Sequence, residues 1–220
     1  VGEKLRIPVF LYGEAARLPE RKDLARIRAG QYEGVEAKLR DSRWKPDYGP
    51  TTFNKKSGAT VIGAREFLIA YNVYLSTIHK EIAHKIAGII RESGCMATTD
   101  DGQRIRIPGI FKSVKAVGIP LEESGLAQVS MNLTNYRVAP MHTVFEKIRQ
   151  LGQLGGASVL YSEIVGLVTK EAILETGRFY EPKARSDKKL IEAAVRNLGL
   201  DSPQGINPRE KIIEYLIGDL

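Results

Sequence analysis

The order of strands and helices that the sequence predicts between residues 67 and 168 limits the possible folds more than any other feature. Phe67–Leu75 mixes aromatic and branched residues over the length of a strand, and isoleucines recur every three or four residues from Ile78, which is the spacing of an amphipathic helix. Two strands separated by the turn EESG, a helix opened by Pro140 and a last buried strand follow. The order βαββαβ predicts an α+β fold with a ferredoxin-like sandwich, in which two helices cover one face of an antiparallel sheet.

The sequence beyond this unit predicts a helical tail. Three segments have helical spacing, and the last of them starts with Asn207 as its cap and Pro208 at its first helical position. The segments are KEAILETGRFY, DKKLIEAAVRNLG and NPREKIIEYLI. Within the unit itself, the polar stretch ATTDDGQRIRIPG after the first helix predicts a loop.

Residues 1–65 do not predict a closed unit of the same kind. RIPVFLYG is typical of a buried strand, and RKDLARIRAG and VEAKLRD are typical of helices. Because one strand with two short helices cannot bury its own apolar face, we expect Ile7–Tyr12 to lack a partner strand within the chain. The chain also begins with Val1 rather than methionine, so we expect the partner strands in an upstream segment or on another polypeptide.

Charge and composition exclude several classes of protein. The 33 Lys and Arg residues outnumber the 26 Asp and Glu residues, and the net charge of +7 favours polyanions or small polyacids as ligands. Cys95 is the only cysteine, which rules out an internal disulfide and a cysteine-based metal cluster. Since the apolar runs are too short to span a membrane and the N-terminus has no signal pattern, we expect a cytoplasmic protein with no bound metal.

The segment GPTTFNKKSG is the strongest candidate for binding an anionic ligand. Its glycines let the backbone approach a ligand closely, its hydroxyl and amide groups offer hydrogen bonds, and its two lysines supply positive charge. It lacks the spacing of a P-loop, and the GATVIGA that follows is not a dinucleotide fingerprint. The alternative interpretation is a solvated connection between two domains. The segment consists of Gly49, Pro50, Thr51, Thr52, Phe53, Asn54, Lys55, Lys56, Ser57 and Gly58.

Three sets of polar residues lie on or beside the predicted strands. Glu163 is placed just beyond a buried strand, where a carboxylate either acts as a functional acid or pairs with an arginine. Gln128 and Asn132 share one face of their strand by even spacing, as do Asn72 and Tyr74 on theirs. The face that carries Gln128 and Asn132 either binds a ligand or faces solvent.

The three histidines give weaker signals. His79 and His84 are five residues apart, which does not place them side by side as metal ligands on a helix, so we interpret both as surface residues. His142 lies in the first turn of the helix that Pro140 opens, where the helix dipole lowers the pKa of its imidazole. It either contacts a ligand or packs at the start of the helix. The sequence supports no arrangement for nucleophilic catalysis.

Stretches spread over nearly the whole chain carry a family resemblance: VFLYGEAAR, LARIRAGQYEG, PDYGP, GATVIGAREFLIAYNVYL, LAQVSMNL, HTVFE, SEIVGLV, NLGLDS and NPREKIIEYLI. In this order they resemble the formiminotransferase family, the glutamate formimidoyltransferases. The resemblance implies transfer of a formimidoyl group from N-formimidoyl-L-glutamate to tetrahydrofolate in histidine degradation. It also implies two α/β subdomains with folate bound in the groove between them.

The resemblance assigns parts of the chain. Residues 1–65 correspond to the C-terminal part of the family's N-subdomain, and residues 66–220 correspond to its C-subdomain. Gly49–Gly58 matches the segment that contacts the folate in the family. Glu163 matches a position at the substrate site that is glutamine in some members.

The family's proposed catalytic histidine lies in a His-Pro-Arg stretch upstream of IPVFLYGEAA, and His79, His84 and His142 do not stand in such a stretch. We therefore expect that this chain lacks the catalytic residue. If the chain does contain one, the candidates are Glu163 and His142. Catalysis is then expected to need an upstream segment.

The expected ligands are N-formimidoyl-L-glutamate and tetrahydrofolate, the latter as co-substrate. We expect a homodimer, with the upstream segment on the same or a second polypeptide and with no nucleic-acid or membrane partner. One alternative function is a basic ferredoxin-like module that binds RNA, although the paired aromatic residues of the usual RNA-binding signature are missing. A further alternative is an inactive folate-binding partner subunit.

Overall fold

The chain divides after Glu66 into two units, Val1–Glu66 and Phe67–Leu220. The computed structural model describes residues 1–202 and 205–218. None of the helices in that part of the chain is long and apolar enough to cross a membrane.

The smaller unit contains a parallel pair of strands. Strand β1 (Val9–Gly13) pairs along its whole length with β2 (Thr60–Ala64), so the expectation that Ile7–Tyr12 lacks a partner strand within the chain is wrong. A parallel pair requires a long crossover, which is supplied by the segment that carries helices α1 (Leu24–Arg28) and α2 (Val35–Arg40). Strand β2 is short, contains a glycine and is half exposed, which explains why its sequence gives only a weak strand pattern.

A buried ion pair fixes the segment that leads into Gly49–Gly58. Arg21 donates to Asp47 at 3.0 Å, and their side chains are only 3% and 4% exposed. Arg21 also donates to the carbonyl oxygens of Arg43 and Lys45, and Asp47 accepts from the backbone nitrogen of Leu11 at 2.8 Å. These contacts hold the chain just before the predicted ligand loop against β1.

The larger unit contains six strands and six helices among its described residues. In chain order they are β3 (Ile69–Leu75), α3 (Lys80–Ile90), β4 (Cys95–Thr98), β5 (Arg104–Ile107), β6 (Val114–Leu121), β7 (Leu126–Leu133), α4 (Met141–Leu154), β8 (Val159–Val165), α5 (Lys170–Tyr180), α6 (Asp187–Leu198), α7 (Pro208–Lys211) and α8 (Ile213–Ile217).

Four of these strands form an antiparallel sheet in the order β6-β7-β3-β8. Every second residue of β3 is buried, from Ile69 to Leu75, and these side chains share one apolar core with Ile86 of α3 and Val144 and Ile148 of α4. The α+β class is therefore confirmed, and the predicted strands and helices of this unit occur in the predicted order. The half-buried residues of β3 lie on the opposite face of the sheet.

The polar stretch after α3 is a hairpin and not the predicted loop. Strand β4 pairs antiparallel with β5, from Cys95 opposite Ile107 to Thr98 opposite Arg104. The turn contains Gly102 at φ +82°, a backbone conformation that glycine adopts without strain. The Asp-Gly turn and the alternation Arg-Ile-Arg-Ile were the available signals, but all four residues of β5 are exposed, so no buried face marked the strand.

The helical tail departs from the prediction in one place. The segment NPREKIIEYLI forms two short helices, α7 and α8, because Ile212 between them is extended, buried and bridged in parallel to Val168. Asn207 caps α7 as predicted, its side chain accepting from the backbone nitrogen of Arg209 at 3.1 Å. The bridge brings the end of α7 next to the end of β8.

Candidate functional site

The sheet of the larger unit presents polar side chains on the face opposite its helices. The register places Asn72 opposite Glu163 and Tyr74 between Tyr161 and Gln128. We call this surface the polar sheet face. Its members are Asn72 and Tyr74 on β3, Gln128, Ser130 and Asn132 on β7, and Tyr161 and Glu163 on β8.

Glu163 is hydrogen-bonded on this face. The hydroxyl of Tyr74 donates to Oε2 of Glu163 at 2.8 Å, and the side-chain nitrogen of Asn72 donates to the same oxygen at 3.4 Å. The expectation that Glu163 lies just beyond a buried strand is wrong, because it is a residue of β8. Ser162 and Ile164 on either side of it are buried, and alternation therefore turns Glu163 outward.

Tyr74 keeps its proton at neutral pH. Burial, the hydrogen bond to Glu163 and the negative charges nearby raise the pKa of Tyr74 to about 12, and a hydrogen bond with Gln128 acts in the opposite direction. Gln128 belongs to the polar sheet face but is buried, so its amide is held at the base of that face. Tyr74 is thus a fixed hydrogen-bond donor to the carboxylate.

Two aromatic rings lie beside the carboxylate. The rings of Tyr74 and Tyr161 are stacked, with centroids 4.3 Å apart and planes inclined by 24°. A flat apolar surface therefore borders the hydrogen-bonded carboxylate of Glu163, an arrangement that suits a planar or cationic group.

A pocket of about 180 Å³ lies next to these rings, at the β8 edge of the sheet. We call it the edge pocket. Lys211 contributes a positive charge to its wall, and its ammonium nitrogen lies 3.4 Å from the carbonyl oxygen of Ile164. The residues that line it include Tyr74, Tyr161, Glu163, Leu200, Ile206 and Lys211.

The predicted ligand loop lies in the smaller unit and is ordered by its own contacts. The side-chain oxygen of Asn54 accepts from the backbone nitrogens of Lys56 and Ser57 at 3.0 and 3.2 Å, and the hydroxyl of Tyr32 donates to the carbonyl of Lys55 at 2.6 Å. Gly49 has φ +82°, and a Cβ there would lie 2.4 Å from a backbone oxygen. The side chains of both lysines remain exposed.

The histidines are not part of the polar sheet face. His79 and His84 are exposed, which confirms the prediction that they are surface residues. His142 is buried, and its ring stacks on Phe179 with centroids 4.4 Å apart, which agrees with a packing role. Burial lowers the pKa of His142, whereas the charge of Glu146 acts in the opposite direction. The sequence argument predicted a lowered pKa for His142 from the helix dipole. The direction agrees, but the cause is burial.

The structure separates the two candidate acid-base residues. Glu163 lies on the polar sheet face, and His142 belongs to α4, which covers the other face. Sequence reasoning did not connect Lys211 or Tyr161 with Glu163.

Within residues 1–202 and 205–218, no group of three or more His, Cys, Asp or Glu side chains is placed to hold a metal ion.

The fold and the site together define a class: an α+β protein whose antiparallel sheet has a polar face and a small pocket at its edge. The chain belongs to the formiminotransferase family. The sequence model of the formiminotransferase domain matches residues 70–218, and that of the N-terminal subdomain of the formiminotransferase domain matches residues 1–65.

Curated relatives agree with this family. The formimidoyltransferase-cyclodeaminase of Rattus norvegicus is 44% identical over 223 residues, which cover 100% of this chain and 40% of that protein. The glutamate formimidoyltransferase of Thermoplasma acidophilum is 42% identical over 82% of this chain and 55% of its own length, and that of Streptococcus pyogenes is 39% identical over 82% and 56%. The chain therefore spans between two fifths and just over half of the length of these relatives.

Proposed function

We propose that the protein transfers a formimidoyl group from N-formimidoyl-L-glutamate to tetrahydrofolate, as a folate-dependent enzyme of histidine degradation. The observation that carries this proposal is the match of both units to successive parts of one formiminotransferase domain. Two relatives with this similarity are named glutamate formimidoyltransferase. The net charge of +7 agrees with two acidic ligands, a glutamate derivative and a folate.

We further propose that residues 1–65 are the C-terminal part of the N-subdomain and residues 66–220 the C-subdomain. The division of the chain after Glu66 supports this assignment. For the larger unit we propose the ferredoxin-like arrangement, which the strand order β6-β7-β3-β8 and the shared core of the sheet with α3 and α4 support.

Gly49–Gly58 is proposed as the folate-binding loop. Its backbone is held by Asn54 and Tyr32, so a ligand meets a preformed surface and little ordering entropy is lost on binding. Lys55 and Lys56 point their charges into solvent, where they can meet the carboxylates of a folate.

Formimidoyl transfer requires a base. The folate amine attacks the formimidoyl carbon, the base removes the proton of that amine, and the tetrahedral intermediate releases the glutamate nitrogen, which takes up a proton. We assign this base to none of the histidines of the described chain, because His79 and His84 are surface residues and His142 is stacked and buried beneath Phe179. The residues described are proposed to bind and orient the two substrates.

Amide hydrogen exchange, measured with and without tetrahydrofolate, tests the proposed folate site. Tetrahydrofolate is expected to slow amide exchange in Gly49–Gly58, and a polynucleotide at the same concentration is expected to leave it unchanged. Protection by the polynucleotide without protection by tetrahydrofolate would instead support the RNA-binding alternative.

A further inference from the structure

The hairpin of β4 and β5 has an unpaired outer edge. The backbone nitrogen of Thr99 donates to the carbonyl of Gln103 at 2.9 Å, so these two residues form a hydrogen-bonded pair at the end of the ladder. Such pairs alternate along an antiparallel ladder, and β5 therefore directs the backbone groups of Arg104 and Arg106 away from β4. Within the described part of the chain, nothing hydrogen-bonds to these backbone groups. They remain available to another strand.

The side chains of β5 differ in polarity between the two faces of the hairpin. Arg104 and Arg106 lie on one face, and Ile105 and Ile107 lie on the other, by the alternation of a strand. The two isoleucines are 43% and 47% exposed, and Ile110 just after the strand is 52% exposed. Charged side chains on an edge strand protect it from pairing with other chains, but exposed isoleucines have no such effect. A further strand at this edge would cover them.

The two arginines are available for pairs with carboxylates. The guanidinium of Arg106 donates to the carbonyl oxygen of Ser93 at 2.9 Å, which orients the side chain without neutralising its charge. The guanidinium of Arg104 makes no hydrogen bond or ion pair with any described residue. Both side chains are exposed. A strand beside β5 that carries carboxylates at every second position would place them opposite these charges.

A second copy of the chain is a poor partner for this edge. Two β5 strands that pair antiparallel about a two-fold axis keep the same residues on each face, so arginines would lie opposite arginines. Like charges directly opposite each other destabilise a pair of strands. The sequence of β5, Arg-Ile-Arg-Ile, contains no acidic residue that would offset this repulsion. The edge is therefore complementary to an acidic strand and not to itself.

We propose that the outer edge of β5 binds an extended acidic segment of a partner protein, which adds a third strand antiparallel to the hairpin. Carboxylates of the segment pair with Arg104 and Arg106, and the apolar residues that alternate with them cover Ile105 and Ile107. Main-chain hydrogen bonds to the edge supply affinity, and the alternating side chains supply specificity. The inference is independent of the proposed transfer reaction, because the hairpin is a separate sheet from the one that carries the polar sheet face.

A labelled peptide tests the proposed surface. The probe is Glu-Val-Glu-Val-Glu-Val with a fluorescein group at its N-terminus, and its binding to the whole chain is measured by fluorescence anisotropy. The double variant Arg104→Glu with Arg106→Glu is expected to bind it at least about 10-fold more weakly, since two attractive cross-strand pairs become repulsive. The same variant is expected to bind Lys-Val-Lys-Val-Lys-Val, which the wild-type protein is expected not to bind. This gain shows that the variant still presents the edge.

The matched control is Arg26→Glu with Arg28→Glu, two exposed arginines with the same spacing in α1. The two double variants have the same net charge, and the control is expected to keep the wild-type affinity for the glutamate peptide. An equal loss of affinity in both double variants would show that the peptide responds only to net charge, and would overturn the proposal.

N-methylation of the peptide tests the strand geometry separately. Residues of the peptide that lie opposite Arg104 and Arg106 in an antiparallel pair exchange backbone hydrogen bonds with them. Methylation of the glutamate nitrogens is therefore expected to lower the affinity at least about 10-fold, and methylation of the valine nitrogens is expected to leave it nearly unchanged. Equal effects of the two methylations would contradict strand addition. Tighter binding of an oligouridylate than of the peptide, lost in the same arginine variant, would assign the surface to nucleic acid and overturn the proposal.

Discussion

The hydroxyl oxygen of Tyr74 lies 2.8 Å from Oε2 of Glu163, across the neighbouring strands β3 and β8. Tyr74 is directly opposite Tyr161 in the register, so the contact with Glu163 is a diagonal one between two turned-out side chains. The sheet therefore fixes a carboxylate on a face that the helices leave open.

Removal of the Tyr74 hydroxyl is expected to weaken the binding of N-formimidoyl-L-glutamate without unfolding the protein. Tyr74→Phe keeps the stacking on Tyr161 and removes one hydrogen bond to Glu163, so we expect about 3- to 10-fold lower affinity for N-formimidoyl-L-glutamate, measured by calorimetry. The matched control is Tyr136→Phe, which removes a 2.9 Å hydrogen bond to Glu171 elsewhere in the same unit. An equal loss in both variants would contradict a specific role of Tyr74.

The buried ion pair Arg21–Asp47 is expected to control the stability of the smaller unit. Arg21→Met leaves a buried carboxylate without its charged partner, and we expect the free energy of unfolding to fall by about 3–5 kcal/mol in denaturant titration. Arg43→Met serves as the control, because the pair of Arg43 with Asp41 is solvent-exposed and is expected to contribute nothing measurable. Equal stability of the two variants would show that the buried pair has no such role.

Protonation of His142 is expected to destabilise the protein as the pH falls. Burial holds the pKa of His142 in the folded state below its unfolded value of about 6.5, so the unfolded chain binds the proton more readily. This contribution to stability is complete above the unfolded pKa and is lost as the pH falls through the folded pKa. We expect His142→Phe to show a smaller loss of stability between pH 7 and pH 5 than the wild type, in thermal unfolding.

His84→Phe provides the comparison for this experiment, since His84 is exposed on α3. The variant is expected to keep the pH dependence of the wild type. A slope in His142→Phe that equals the wild-type slope would contradict the assignment.

The two lysines of Gly49–Gly58 are expected to contribute electrostatically to folate binding. Replacement of Lys55 and Lys56 by Gln should lower the affinity for tetrahydrofolate, and the loss should shrink as salt is added, because exposed charges are screened within about 10 Å at 0.1 M salt. Affinity is measured by fluorescence or calorimetric titration at two salt concentrations. The control replaces Lys188 and Lys189 in α6 by Gln, and an identical loss there would show that only net charge matters.

The sequence predicts the strands in which buried and outward-facing residues alternate and the helices in which apolar residues recur every three or four positions. It does not predict elements that form through contacts with residues far away in the chain. Tyr74 and Asn72 were placed on one face by alternation, and so were Gln128 and Asn132. Strand β2 was missed because its side chains are half exposed and its partner β1 lies about fifty residues earlier in the chain.

The same limit applies to the site. Glu163 and Lys211 line one pocket because Ile212 forms a bridge with Val168, and a helical pattern in the tail contains no information about such a bridge. The break between α7 and α8 at Ile212 was missed for this reason. Local patterns can indicate a helix or a strand. Tertiary packing decides which edge of a sheet the C-terminal tail packs against.

Transfer of an isotope-labelled formimidoyl carbon tests the central claim most directly. The protein is incubated with tetrahydrofolate and with N-formimidoyl-L-glutamate that carries ¹³C in the formimidoyl group, and the products are analysed by mass spectrometry. The account predicts that the label appears on tetrahydrofolate, that an equal amount of unlabelled glutamate is released, and that neither occurs without the protein. Label that stays on glutamate at saturating concentrations of both ligands would contradict it.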